Sequence, residues 1–173
     1  MKKIVAALLV LVCLFALCAC ANTDQTPDGM QNVALESANY YLYVSKNWIP
    51  TSYNVSGAKA HTAENAPNIL ATVYYPEEQL TPTSYWENEC LVEYQAVFEN
   101  FTVIEAEVAE TLGGKDAKAY LFSYTFGATV YQCKQVITVY DFNVYVLTYT
   151  AVATEYNNFV ADFDAAVDYF TFK

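Results

Sequence analysis

Three long apolar segments in the second half of the chain, separated by connections of only two residues, constrain the fold most strongly. They span residues 117–126, 129–140 and 143–152, and Gly127-Ala128 and Asp141-Phe142 separate them. A two-residue connection can join only antiparallel neighbours in a hairpin. These segments therefore predict consecutive strands of an antiparallel sheet.

Two segments with helical periodicity complete the pattern of elements. Shorter strands are predicted near residues 40–44, 52–56 and 69–75, and apolar residues recur at helical spacing from Trp86 to Phe101 and from Tyr156 to Phe170. Each helix has one broad apolar stripe, which needs the face of a sheet to pack against. The sequence predicts an α+β fold, an antiparallel sheet of about six to seven strands with helices packed on its faces.

One further strand is predicted between the first helix and the long strands. Ile104, Ala106 and Val108 alternate with Glu105 and Glu107. Alternation with period two places the apolar residues on one face and the acidic residues on the other. We expect a half-buried strand with one face in solvent.

The first twenty residues have the order of a secretory signal, with two lysines followed by an uncharged apolar stretch. The ending Leu17-Cys18-Ala19-Cys20 resembles the lipobox of bacterial lipoproteins, in which the cysteine receives a diacylglyceryl group before cleavage just ahead of it. The resemblance implies a signal peptide over residues 1–19 and a mature chain that begins with lipidated Cys20. The alternative is an uncleaved anchor, because the uncharged stretch is close to the roughly 20 residues that span a bilayer.

The polar composition after Cys20 predicts a linker and then one domain. Residues 20–38 contain the lipidated cysteine and a segment without aromatic residues that is rich in turn formers, which indicates a flexible linker. Residues 39–173 have the length of one ordinary domain with a single core.

Net charge excludes one class of partner. Removing the signal removes two of the eight basic residues and none of the nineteen acidic ones, so the formal charge changes from −11 to −13. A chain with no arginine and no basic cluster lacks the groups that neutralise phosphates, so nucleic acid is not expected as a partner. A cationic peptide, a metal ion or a neutral surface remains open.

Beyond the lipobox, the cysteines are Cys90 and Cys133, one on a predicted helix and one on a predicted strand. We expect two buried thiols, with a disulfide in the oxidising envelope as the alternative. No Cys and His spacing predicts a metal site, and no cofactor is expected.

Several short motifs of residues 39–173 together resemble the PsbP family, which includes an extrinsic photosystem II subunit and many bacterial lipoproteins of unknown role. They are Tyr41-Leu42-Tyr43-Val44 with Trp48, Leu112-Gly113-Gly114 before Ala117, Leu147-Thr148-Tyr149-Thr150-Ala151 and Phe170-Thr171-Phe172. The resemblance implies an accessory or binding role, because PsbP-like domains are not generally enzymes. It implies no functional residue.

The sequence gives little support to catalysis. His61 is the only histidine, and no nucleophile, zinc or phosphate-binding motif accompanies it. We expect a non-enzymatic cell-envelope lipoprotein, held by Cys20 on the extracytoplasmic side of the bacterial membrane, with an interaction or assembly role and a possible envelope protein partner. One alternative is a hydrolase whose active site combines His61 with a nucleophile and a carboxylate.

Tyrosine content supports a second hypothesis. The chain has sixteen tyrosines, many of them on predicted strands. A tyrosine-rich sheet face could bind a small ligand, a glycan or a peptide by stacking and by hydrogen bonds from the hydroxyls. Tyrosine also favours half-buried strand positions for packing alone. Tyr41, Tyr43 and Trp48 are weak candidates for ligand binding, and no catalytic or metal-binding residue is assigned.

Overall fold

A computed structural model describes residues 26–51 and 54–173, so the predicted signal peptide and Cys20 lie outside the described residues. Two short helices, α1 and α2, are joined by a π-helical turn at Trp86–Cys90, and α3 lies near the C-terminus. The helices are α1 (Pro82–Tyr85), α2 (Leu91–Val97) and α3 (Tyr156–Asp168). The strands are β1 (Met30–Asn32), β2 (Tyr40–Tyr41), β3 (Tyr43–Ser45), β4 (Ile49–Pro50), β5 (Ser56–Lys59), β6 (Asn68–Tyr74), β7 (Glu99–Leu112), β8 (Lys115–Phe126), β9 (Thr129–Tyr140), β10 (Asn143–Val152) and β11 (Thr171–Phe172).

A seven-stranded antiparallel sheet forms the centre of the domain, which confirms the predicted fold class. Its strand order is β4-β5-β6-β10-β9-β8-β7. The two predicted two-residue hairpin loops are present, and their backbones take the positive φ angles that such tight turns need. Gly127 has φ +60°, and Asp141 and Phe142 have φ +48° and +68°. Two-stranded pairings of β1 with β3 and of β2 with β11 flank the main sheet.

Each face of the sheet carries its own apolar core, because side chains alternate between the faces along every strand. On one face, α3 buries Phe163, Ala166 and Val167 against residues of the sheet that include Leu147 and Tyr149. On the other face, the helical segment of α1 and α2 covers a second cluster. That cluster comprises Trp86, Cys90, Tyr120, Phe122, Cys133, Ile137, Val144 and Val146.

The structure corrects the prediction that residues 104–108 form a half-buried strand. β7 is an edge strand of fourteen residues, and the residues from Thr102 to Ala109 are exposed on both of its faces. Its pairing with β8 is interrupted by three register shifts, and Glu107 has φ +55°. Alternation correctly predicts a strand here, but it does not predict that residues 102–109 stay exposed on both faces. Bulges and glutamates on an exposed edge are features that prevent edge-to-edge association.

The predicted linker is also corrected, because the folded domain begins earlier than Asn39. β1 pairs with β3 in register from Met30 with Ser45 to Asn32 with Tyr43. Met30 is buried, and Val33 belongs to the main core. At most nine residues therefore separate Cys20 from the first strand. Within the described part of the chain, no helix is long and apolar enough to cross a membrane.

Candidate functional site

An open cleft lies on the sheet face that α2 only partly covers, and four aromatic rings line it. We call it the aromatic cleft. It has a volume of about 340 Å³ and is lined by Lys59, Glu64, Asn65, Ala66, Asn68, Phe98, Tyr124, Phe126, Tyr131 and Thr150. These residues come from β5, β6, β8, β9, β10, the end of α2 and the loop after β5.

One wall of the aromatic cleft is a stack of three rings. Tyr124 on β8 lies directly opposite Tyr131 on β9, and their ring centroids are 5.4 Å apart. Phe98, which follows α2, stacks on Tyr124 at 3.9 Å. Phe126 extends this wall toward solvent, with 70% of its surface exposed. Such a wall offers a large apolar surface that loses little conformational freedom when a ligand binds.

The opposite side of the aromatic cleft is polar and carries one positively and one negatively charged side chain. Lys59 and Glu64 are exposed, and Asn68 and Thr150 face each other across β6 and β10. Amides and hydroxyls can both donate and accept hydrogen bonds. The cleft therefore combines a stacking surface with a hydrogen-bonding rim, as small-molecule and side-chain pockets do.

The Thr150 hydroxyl on the floor of the aromatic cleft contacts a buried thiol outside the cleft lining. The Cys133 thiol, 3% exposed, donates a hydrogen bond to this hydroxyl at 3.4 Å. Burial raises the pKa of Cys133 to about 11, and burial likewise raises the pKa of the lining residue Tyr124. Both groups thus stay protonated at neutral pH, and a protonated thiol is a poor nucleophile. Neither group supplies a nucleophile to the cleft.

A buried polar row continues from this floor toward α2. Gln135 and Thr148 are opposite each other, one step along the strands from Cys133 and Thr150. The side-chain amide of Gln135 donates to the Tyr94 hydroxyl at 2.8 Å and to the Thr148 hydroxyl at 3.1 Å. Its carbonyl oxygen is buried without a hydrogen-bond partner. An unpaired buried acceptor is destabilising by about 1 to 3 kcal/mol, so this row is not optimised for stability alone.

A larger cavity of about 500 Å³ lies near the opposite end of the sheet, close to Tyr40, Ser56 and Tyr75. Its lining contains no charged side chain. The Tyr40 hydroxyl donates to the Ser56 hydroxyl at 2.8 Å, and the Leu35 amide donates to the same oxygen at 3.0 Å. These buried polar groups satisfy one another, so the aromatic cleft is the better candidate site.

Three residues are predicted from the sequence as candidates for ligand binding, and they lie outside the lining of the aromatic cleft. They are Tyr41, Tyr43 and Trp48. Trp48 is 3% exposed, and its indole N–H donates to Asp162 at 2.8 Å. Tyr43 is buried, and its ring stacks on that of Tyr41 at 5.9 Å. The Lys173 ammonium lies 4.9 Å from the centre of the Tyr41 ring. A ligand-binding role for these three residues stays a prediction, and the exposed aromatic surface is elsewhere.

The structure also shows the surroundings of His61 and of the two cysteines. The Nε2 atom of His61 lies 3.5 Å from a carboxylate oxygen of Glu155, and the ring lies 6.2 Å from that of Phe159. Cys90 and Cys133 are free and buried, which confirms two buried thiols. Among the described residues, no group of three or more His, Cys, Asp or Glu side chains could hold a metal ion.

Part of the aromatic cleft could have been found from the sequence. The two-residue loop Gly127-Ala128 fixes the hairpin register, and that register places Tyr124 opposite Tyr131. Phe98 and Glu64 could not be added, because their positions depend on how α2 and the loop after β5 pack on the sheet. No local pattern marks either residue.

Comparisons with known proteins support the fold. The chain is similar in structure to the cyanobacterial PsbP protein CyanoP of Synechocystis, with a TM-score of 0.60 and 13% identity over 91% of this chain and 99% of that one. LpqN of Mycobacterium tuberculosis, which is involved in cell envelope biogenesis, gives a TM-score of 0.59 and 19% identity over 82% and 90% of the two chains.

A third structure is a Pseudomonas aeruginosa protein of unknown function, with a TM-score of 0.56 and 13% identity over 81% of this chain and 94% of that one. No family model and no curated protein matches the sequence. At these identities the similarity concerns the fold, which is PsbP-like, and leaves function to be argued from the site.

Proposed function

We propose that this chain is a cell-envelope lipoprotein, held at the membrane by acyl chains on Cys20, whose PsbP-like domain binds an envelope protein partner and catalyses no reaction. The observation that carries the proposal is the aromatic cleft, where exposed rings and a polar rim favour recognition. LpqN, with a similar fold, is involved in cell envelope biogenesis, which is consistent with this role.

The shape of the aromatic cleft fits the anchoring of one side chain of a partner. Its volume of about 340 Å³ is close to the lower limit of ligand pockets. In protein interfaces a few buried anchor side chains contribute most of the binding energy, and surrounding contacts exclude water. The partner's anchor would stack in the cleft while its neighbours contact the polar rim at Lys59, Glu64 and Asn65.

In-cell photo-crosslinking tests this proposal. A photoreactive amino acid at Asn65, which is exposed on the rim, should capture one dominant envelope protein identified by mass spectrometry. Glu64→Lys should abolish this capture, because it reverses the charge beside the cleft. Glu78→Lys, a matched change on an exposed residue after β6, should leave capture intact. A photoreactive amino acid at Glu78 serves as a second control. Recovery of the same abundant proteins from the probes at Asn65 and at Glu78 would refute the proposal.

A small ligand is the second candidate occupant, and the pairing of ring walls with amide and hydroxyl groups favours it. An oligosaccharide or short peptide could stack on Tyr131 and bond to Asn68 and Thr150. A thermal-shift panel of oligosaccharides and synthetic peptides should then raise the melting temperature of the mature chain saturably. The rise should disappear in Glu64→Lys and persist in Glu78→Lys. A panel without any saturable rise argues against this candidate.

A further inference from the structure

The tip of the β8–β9 hairpin is an apolar segment without charged residues of its own. The segment from Thr125 to Val130 contains no ionisable residue, and Phe126 and Val130 are 70% and 50% exposed. The nearest charge along the sheet is the exposed Glu99 of β7, which pairs with Thr125 at the base of the tip. Val97 adds a side chain that is 66% exposed, and it directly precedes Phe98, whose ring stacks near this tip on Tyr124. Single exposed apolar residues are normal, but a grouped apolar tip on an acidic domain indicates a contact surface.

The N-terminal segment enters the domain at the same end of the sheet as this tip. The Lys46 amide donates to the carbonyl of Gly29, and Met30 pairs with Ser45 just before the chain turns into β4. From β4 onward, one row of paired residues crosses the sheet toward β8. The row is Ile49, Lys59, Asn68, Thr150, Cys133 and Phe122.

The hairpin projects beyond this row on the side from which the N-terminal segment comes. Thr129 lies four residue steps before Cys133, so the tip extends about 13 Å past the row. β1 runs from Met30 away from this end, antiparallel to β3, so Gly29 and Met30 lie at the tip end. The entry point and the apolar tip therefore share one end of the domain.

The length of chain before β1 limits how far this end can be from the lipid anchor. Nine residues separate Cys20 from Met30. Even fully extended, a chain of this length reaches only about 36 Å. If Cys20 carries acyl chains, as the proposed function requires, the tip end is held close to the bilayer surface.

We infer that the β8–β9 hairpin tip, with Phe126, Val130 and Val97, inserts into the interfacial layer of the membrane that holds Cys20. Aromatic and apolar side chains are favoured in this layer. Acidic surfaces are repelled by anionic lipid, so an uncharged projection is the part of this domain that approaches the bilayer at least cost. Insertion would fix the orientation of the domain and keep the aromatic cleft beside the membrane surface.

Fluorescence of the lipidated mature chain in phosphatidylcholine and phosphatidylglycerol vesicles tests this inference. An environment-sensitive fluorophore is attached through Ala128→Cys at the tip, or through Thr111→Cys near the opposite end as the control. Cys90 and Cys133 are buried, and burial raises the pKa of both to about 11, so the introduced thiol reacts selectively.

We expect the label at position 128 to shift to the blue, to be quenched by doxyl lipid and to be protected from iodide. The label at position 111 should stay in water, and adding Phe126→Ser should return the tip label to water. No other protein is present, so only lipid can cause the shift. A lipidated sample, verified by mass, in which both labels remain equally accessible to iodide overturns this inference and leaves the anchor in place. A chain without acyl groups refutes the anchor and the inference together.

Discussion

Cys20→Ala is expected to move the protein from the membrane fraction to the soluble fraction of the envelope. Each buried methylene of an acyl chain contributes about 0.8 kcal/mol, and two chains give stable anchoring. The chain is acidic, so anionic lipid would repel the domain once the acyl chains are lost. The substitution keeps the run of small residues that ordinary signal cleavage needs. Fractionation followed by immunoblotting measures the change.

Cys18→Ala is the matched control, because it alters the neighbouring cysteine and should leave anchoring intact. The wild-type N-terminal peptide should begin at Cys20 and carry a diacylglyceryl group when its mass is measured. A peptide that begins at Met1, with Cys20→Ala still in the membrane fraction, would instead support an uncleaved spanning segment.

The early start of the domain shortens the chain between the domain and the proposed anchor at Cys20. A linker up to Ala38 would let the domain move freely above the bilayer, since a seventeen-residue polar chain spans roughly 20 to 25 Å on average. Pairing of Met30 with Ser45 removes about half of that length. Polar composition concealed β1, because a three-residue strand needs only Met30 and Val33 to be buried. The sequence could not show this, since the partner strand lies more than ten residues away.

The positions of the long strands could be predicted from the sequence, but the exposure of the edge strand β7 could not. The two outcomes have related reasons. Two-residue turns make β8, β9 and β10 neighbours independently of the rest of the fold. The first and last residues of these strands can therefore be predicted from the local sequence. The burial of β7 depends on how much of it a helix covers. The ring of Tyr94 in α2 lies 6.0 Å from that of Phe101 near the start of β7, and residues 102–109 stay exposed. Alternation predicts the two faces of a strand but not what packs against them. The same limit applies to the aromatic cleft, where the facing pair Tyr124 and Tyr131 is local and Phe98 is not.

Gly57→Ala is expected to have the largest effect on stability of any small substitution in the sheet. A Cβ atom at this position would lie 2.3 Å from the carbonyl oxygen of Ile69 and 2.7 Å from Cδ2 of Leu70. The carbonyl belongs to β6, which pairs with β5 at Gly57 and Leu70, so it cannot move without breaking that pairing. Glycine in a strand often marks such a close backbone approach. We expect a loss of about 3 to 5 kcal/mol.

Calorimetry of the mature chain should therefore show a melting temperature lower by roughly 6 to 20 °C, since 1 kcal/mol corresponds to about 2 to 4 °C at this size. Gly127→Ala is the matched control: no atom lies within 4 Å of the added Cβ, and only the positive φ of +60° is strained. That strain costs roughly 1 to 2 kcal/mol. Equal decreases for the two variants would contradict the close approach of β5 and β6. A larger decrease for Gly57→Ala would support the close approach of β5 and β6, the two strands that carry Lys59 and Asn68 of the aromatic cleft.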